Sequence, residues 1–502
     1  MPDARSASRS PAPHSLHRLV QQWGARTPEG IAIAAPGRAP LTYRRLLARV
    51  DAVADALDAH GVGRHDRVGI ALPNGPEMAV AFLGVASASS CAPLNPALRE
   101  GETAAHLAQL RARALIVESG DGGAARSAAR SIGIPVIALT ARPQNEAGAF
   151  ELEGAPAAPA AHRRPAARGD DVALVLQTSG TTSRPKIVPL TQSNLCASAQ
   201  NVRAALELKE SDRCLGVMPL FHVHGLVGAL LSSLAAGASI VCTPGFYATE
   251  FFEWLGEFHP TWYTAVPSMH QAIASRASQH REVIARAPLR FVRSCSSPLP
   301  APAAAALEDA FGVPVVDAYG MTEAAHQIAS TPLGRRKPGS VGVAAGAEIA
   351  IIDATGNPLP AGSDGEIAIR GPGVMRGYEA APNGDGAFAG SWLRTGDLGR
   401  LDGEGYLFIT GRLKEIINRA GTKISPVEIE EALLAHPAVR DAAAFAVPHP
   451  ELGEEPAAAA VLDPGAAVTE RELRAFAAQR LADFKVPRHV SIVAEIPRTH
   501  TG

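Results

Sequence analysis

The chain has 502 residues, 46% hydrophobic and 19% charged, with a formal net charge of -2. That length exceeds one ordinary core and predicts two or three domains, and the balance excludes a disordered chain. The near-neutral charge offers no footprint for nucleic acid or an anionic membrane.

Cys91, Cys196, Cys214, Cys242 and Cys295 lack CxxC spacing. This argues against a zinc site or a disulfide framework and suits a reducing cytosol. No apolar run reaches the ~18 residues of a spanning helix. The opening MPDARSASRSPAPHS lacks the apolar middle of a secretory signal, so residues 1–14 read as a frayed tail of a cytoplasmic protein.

In chain order, residues 15–23 form an amphipathic helix with Leu16, Leu19, Val20 and Trp23 on one face. A longer helix covers 41–60. Strands at 68–72, 114–117 and 136–139 alternate with a helix at 78–87, the rhythm of a parallel sheet covered by helices. Residues 141–170, rich in Ala, Pro and Arg, read as a surface excursion. Strands follow at 172–176, 213–218, 239–242, 262–266, 290–295 and 314–318. After Gly339 the texture changes. Strands at 348–352, 366–370 and 406–409 are split by Gly, Pro and Asp, which predicts a small antiparallel β-barrel. From Arg412 a small α+β unit is expected, with helices at 426–436 and 470–481 beside strands near Ala443 and Ala457. The fold class is therefore α/β: a large N-terminal domain of helix-covered sheets plus a barrel, and a small C-terminal domain.

The run TSGTTSRPK, residues 178–186, follows the strand at 172–176. Small residues let backbone N–H groups crowd around an anion, hydroxyls add donors, and lysine adds charge. It is not a Walker A loop, because Pro185 and Ile187 stand where glycine and hydroxyl are required. A polar surface turn would explain the run equally well by itself.

The whole string, however, resembles the phosphate loop of the adenylate-forming superfamily, which includes acyl-CoA synthetases and carrier-protein adenylation domains. Its other motifs follow in order: YGMTE at 319–323, SWLRTGD at 391–397, GRLKEII at 411–417 and GTKISPVE at 421–428. The resemblance implies a domain over 15–411, a hinge at 412–416 carrying Lys414, and a mobile C-terminal domain over 417–502. It implies ATP, Mg²⁺ and coenzyme A. Thr178, Ser179, Gly180, Thr181 and Thr182 would surround the β- and γ-phosphates, with Lys186 supplying charge. Tyr319 would stack on adenine, with Asp317 near its amino group. Thr322 would donate to the α-phosphate, and Glu323 would hold Mg²⁺ as a hard oxygen ligand. Asp397 would accept from the ribose hydroxyls beside Arg412, and Gly421 would lie by the thiol path. Outside that context Asp397 could be an Asx turn, Glu323 a helix-start carboxylate and Tyr319 plain core.

MPLFHVHG at 218–225, RSCSSPL at 293–299 and TEAAH at 322–326 resemble the oxalate–CoA ligase branch. That likeness implies a second carboxylate held by His222 or His224, by Ser294 or Ser296, and by His326. His222 could instead gate the pocket, and His326 could be a satisfied core histidine. The expected function is ATP-dependent activation of a small acid, oxalate first, with transfer to CoA. A stand-alone enzyme loading a carrier protein and a non-catalytic ATP-binding protein are the alternatives. A dinucleotide enzyme is disfavoured, since GPGVMRG at 371–377 lacks GxGxxG spacing. The last residues, PRTHTG, stop one short of the lysine that the resemblance places after Gly502. A truncated chain that adenylates slowly is the expectation, since a lost charge at a transferring phosphoryl group is costly.

Overall fold

The computed structural model describes residues 13–120, 123–154, 167–178, 186–379, 386–420 and 422–497. Two large sheets dominate. One runs in the order Phe150–Leu152, Val136–Ala141, Ala114–Glu118, Arg67–Ala71, Ser90–Pro93, Val172–Thr178, Lys186–Thr191. The other runs Val343–Ala344, His326–Ser330, Val315–Met321, Phe291–Ser294, Trp262–Ala265, Arg213–Gly216, Ser239–Cys242, Ile31–Ala34, Leu41–Thr42. Both are parallel inside and antiparallel at their edges. Strands buried on both faces read as continuous apolar runs, which is why 114–118 and 239–242 show no alternation.

One continuous apolar core takes side chains from both sheets and from the helices Leu16–Arg26, Tyr43–Ala59, Pro76–Ala88 and Gln192–Ala205. Ser15 caps the first helix by accepting from the Arg18 amide, and Thr42 caps the second by accepting from Arg45. Pro76–Ala88 is buried at every position but Glu77, and a Cβ at Gly84 would meet Val53 at 2.4 Å. Residues 41–42, expected to open a helix, pair instead with Ile31–Ala34, and the helix starts at Tyr43. The excursion at 141–170 contributes an edge strand, Phe150–Leu152, whose apolar side chains join the core.

Strands Glu348–Ile352, Gly365–Arg370, Trp392–Leu401, Phe388–Ala389 and Leu407–Arg412 form a small antiparallel unit. Beyond it, strands Ile417–Arg419, Thr422–Ile424, Val439–His449, Gly453–Leu462 and His489–Ile492 pack with helices Pro426–Leu434 and Glu470–Ala478. Ile417, Ile424, Ile429, Leu433 and Leu473 give that unit an apolar core of its own. No described helix is long and apolar enough to cross a membrane.

Candidate active site

The phosphate-loop hairpin is antiparallel, and its register sets Thr178 opposite Lys186. Ser179, Gly180, Thr181 and Thr182 lie outside the described residues, as do Gly421 and the first twelve residues of the tail. Lys186 Nζ stands 4.3 Å from the centre of the Tyr378 ring. The Tyr378 hydroxyl donates to Glu323 Oε1 at 2.6 Å. Tyr378 thus joins the lysine and the carboxylate expected to face the phosphates. Sequence reading missed it, because it lies just past the GPGVMRG stretch, outside every motif quoted.

Strand Val315–Met321 carries Asp317 and Tyr319 and runs into the single turn Thr322–Ala324. Asp397 and Arg412 pair across two antiparallel strands. Tyr319 donates to Asp397 Oδ2 at 2.5 Å, and Arg412 Nε donates to Oδ1 at 2.7 Å. The Asp397 carboxylate is buried yet held from two sides, and each oxygen keeps a lone pair for a ligand hydroxyl. Burial pushes the Asp317 carboxyl up to about 6, with Arg336 opposing and Glu308 adding to the rise. Lys414 is exposed just after the Leu407–Arg412 strand.

The acid end is assembled from four distant segments. After Thr322–Ala324 the chain passes through Ala325 at φ 48° and His326 at φ 111°, then returns as strand His326–Ser330. Met321 and His326 are register partners, and a Cβ on Gly320 would meet the His326 carbonyl oxygen at 1.6 Å. Only glycine at 320 allows this reversal. It sets a buried imidazole next to the turn carrying Thr322 and Glu323.

His224 starts a π-helical segment, His224–Leu231, where the sequence suggested no special winding. Wide turns of this kind recur at functional sites. Gly225 packs against the Pro219 carbonyl, and Gly228 lies under His326, where a Cβ would come within 2.5 Å of Nε2. The His224 and His326 rings stack at 5.2 Å. His224 Nδ1 lies 3.0 Å from Ser296 Oγ, and Nε2 lies 2.6 Å from Thr264 Oγ1.

The structure therefore brings His224, Ser296 and His326 together. Ser294 is different. Along Phe291–Ser294 alternate side chains point to opposite faces, so Ser294 shares the face of Val292, turned from the histidines. Its hydroxyl is buried without a hydrogen-bond partner among the described residues. His222 is half-buried before the π-helix, its ring 4.6 Å from Phe221.

A further residue at this end escaped the sequence reading. Arg293 is fully buried. Its Nη1 donates to Thr264 Oγ1 at 3.2 Å, and its Nη2 donates to His326 Nε2 at 3.0 Å and Gln327 Oε1 at 3.1 Å. An arginine on the inward-facing register of a strand from a doubly covered sheet was the available signal.

The family model for AMP-binding enzymes matches residues 20–379, and that for the AMP-binding enzyme C-terminal domain matches residues 428–502. The chain belongs to the AMP-binding enzymes. Among relatives of this AMP-binding enzyme is the oxalate–CoA ligase of Arabidopsis thaliana, 40% identical over 97% of this chain and 96% of that one. The sulfoacetate–CoA ligase of Cupriavidus necator is 36% identical over 97% and 96%. The ATP-bound structure of MatB from Rhodopseudomonas palustris superposes with a TM-score of 0.86 at 28% identity, covering 97% and 96% of the two chains.

Among the described residues no group of three or more His, Cys, Asp or Glu side chains could cage a metal. The donors at the phosphate end suit Mg²⁺ nonetheless. That ion keeps most of its shell as water and phosphate oxygen and takes one or two protein carboxylates, as Glu323 could supply.

Proposed function

We propose that this enzyme activates a short acid carrying a second anionic group, with oxalate the first candidate. It is an AMP-forming acid–CoA ligase that uses ATP and coenzyme A. A carboxylate oxygen of the acid attacks the α-phosphorus of ATP, the bond to pyrophosphate breaks, and an acyl-adenylate forms. The sulfur of CoA then attacks the acyl carbon, AMP leaves, and the thiol proton is released. No side chain becomes acylated, so the protein contributes position and charge.

In this reading Thr178 and Lys186 face the β- and γ-phosphates, Thr322 donates to the α-phosphate, and Glu323 serves the Mg²⁺ that neutralises phosphate charge when bound. Asp317 and Tyr319 border the adenine, Asp397 and Arg412 the ribose, and His222 the entry of the acid. Lys414 is the hinge about which the C-terminal unit turns for the thiol step.

One observation carries the substrate class: His326 is the register partner of Met321, next to the phosphate-facing turn. A group held by His326 and Ser296 is therefore close to the reacting carboxylate, and Gly228 packs directly under the imidazole. The relatives named for oxalate and sulfoacetate act on acids of this type and support the reading.

Pyrophosphate release with ATP, Mg²⁺ and CoA across oxalate, malonate, succinate, acetate, benzoate and octanoate tests it. The 502-residue chain and the same chain extended by one lysine are compared. Release with oxalate above acetate is expected. Preference for acetate or octanoate would discard the second-anion pocket and keep the enzyme class.

A further inference from the structure

Arg293 is a buried cation without an acid. Among the described residues it is the only lysine or arginine classed as buried, and no carboxylate lies within ion-pair reach of it. Guanidinium stays charged even where burial lowers its pKa, as here. The acidic groups near enough to feel it are the thiols of Cys295 and Cys214, and burial pushes both thiols up, so they remain neutral. An uncompensated charge in such a place is costly, and a fold usually pairs it or replaces it with apolar side chains. Its natural counter-ion here is a bound ligand.

The hydrogen bonds state how that charge is used. Arginine has donors only, so His326 Nε2 must accept, and the single proton of the neutral ring sits on Nδ1. No hydrogen bond engages Nδ1 among the described residues. Thr264 Oγ1 accepts from Arg293 Nη1 and keeps one lone pair and its own proton, so toward its other neighbour, His224 Nε2, it can donate or accept. In the arrangement where Thr264 donates, His224 carries its proton on Nδ1 and donates it to Ser296 Oγ. The Ser296 hydroxyl proton is thereby released to point outward, where Ser296 is exposed.

We propose that Arg293 is a positioning residue that orders the protons of His326 and, through Thr264, of His224 and Ser296, so that two donors, His326 Nδ1–H and Ser296 O–H, meet the second anionic group of the substrate. Its positive charge adds attraction for that group without touching it. The donor array binds a dianionic acid, and a monoanion such as acetate leaves it unfilled. This rests on the second-anion reading above.

The test uses the same assay in the lysine-extended chain with Arg293→Met, Arg293→Gln and Arg293→Lys. Arg293→Met should fold at least as well as the parent, because it removes an unpaired buried charge. Its kcat/KM for oxalate should fall about ten- to hundredfold through KM, while acetate and ATP constants move little. Arg293→Lys should restore part of the loss.

Arg293→Gln supplies a pH signature. In the parent, burial and then the Arg293 charge hold His326 well below its ordinary range, and burial, His326, Arg293, His270 and His222 do so for His224. Both rings stay neutral, so KM for oxalate should be flat from about pH 6 to 8. Without the arginine one of the two causes is gone while burial, the larger, still opposes protonation, so any recovery of oxalate binding is expected only below about pH 6. The facing groups are Cys214, Cys295, His224, His270 and Gln327, with Asp317 close to Cys295, and wild-type controls at each pH remove their contribution.

Equal losses for oxalate and acetate, or an unchanged oxalate preference in Arg293→Met, would each overturn the proposal. If Arg293→Met does not fold, the same oxalate-to-acetate comparison in Arg293→Gln decides. If the parent prefers acetate to every dianionic acid, the second-anion reading itself has failed. If the parent prefers a dianion and the variants keep that preference, only the role of Arg293 falls.

Discussion

At the nucleotide end, charged groups meet partners of their own chain. Asp397 accepts from Tyr319 and Arg412, and Glu323 accepts from Tyr378. At the end proposed for the acid, Arg293 donates to a threonine, a histidine and a glutamine and makes no ion pair among the described residues. In the first arrangement Asp397 is balanced by Arg412, and Glu323 is held by a neutral hydroxyl. The second is balanced only when an anion arrives, so specificity is concentrated where the protein leaves a charge unpaired.

The largest effect should come from Asp397→Ala. Removing the proposed ribose acceptor and stranding Arg412 should lower kcat/KM for ATP by about a hundredfold or more. The oxalate-to-acetate ratio should not change. A changed ratio would mean that the two ends are coupled and would break the comparison.

His326→Ala acts on the other end. Oxalate should lose about ten- to hundredfold and acetate little, measured as pyrophosphate release. Unchanged preference would remove this histidine from the pocket.

Gly228→Ala separates packing from chemistry. The new methyl would lie within 2.5 Å of His326 Nε2. Such overpacking costs about 1–3 kcal/mol, so thermal unfolding should shift downward along with oxalate activity. An unshifted midpoint would show that the imidazole can move aside.

Tyr378→Phe should be milder. It deletes one hydrogen bond to Glu323, worth about threefold to tenfold in KM for ATP.

The smallest effect concerns pH. Burial lifts the Asp317 carboxyl to about 6 in the fold, above the ordinary aspartate value of 3.8. A carboxyl raised by burial costs stability once the pH exceeds its unfolded value, and the cost grows until the folded value is passed. Asp317→Asn should therefore raise the unfolding midpoint at pH 7.5, with the gain vanishing below about pH 4. Loss of ATP affinity in the same variant would mark the carboxylate as an adenine contact.

Much of this was legible along the chain because its causes are local. The helix Leu16–Arg26 follows from Leu16, Leu19, Val20 and Trp23 on one face and from Ser15 as cap. Strands 114–118 and 239–242 follow from short apolar runs. The nucleotide residues sit in contiguous strings, so Tyr319, Thr322 and Glu323 could be named together. Tyr378 could not, because its partner Glu323 lies 55 residues away.

By itself the sequence determined the α/β class, the order of the elements and the nucleotide motifs, since periodicity and short motifs depend on near neighbours. It left open His222 against His224 and Ser294 against Ser296. Tertiary structure alone brought His224 and Ser296 together, 72 residues apart, turned Ser294 to the far face of its strand, and buried Arg293 beneath both histidines. The reason is physical. Strand alternation assigns a side chain to a face, but only the packed sheet and the π-helical segment across from it decide what that face meets.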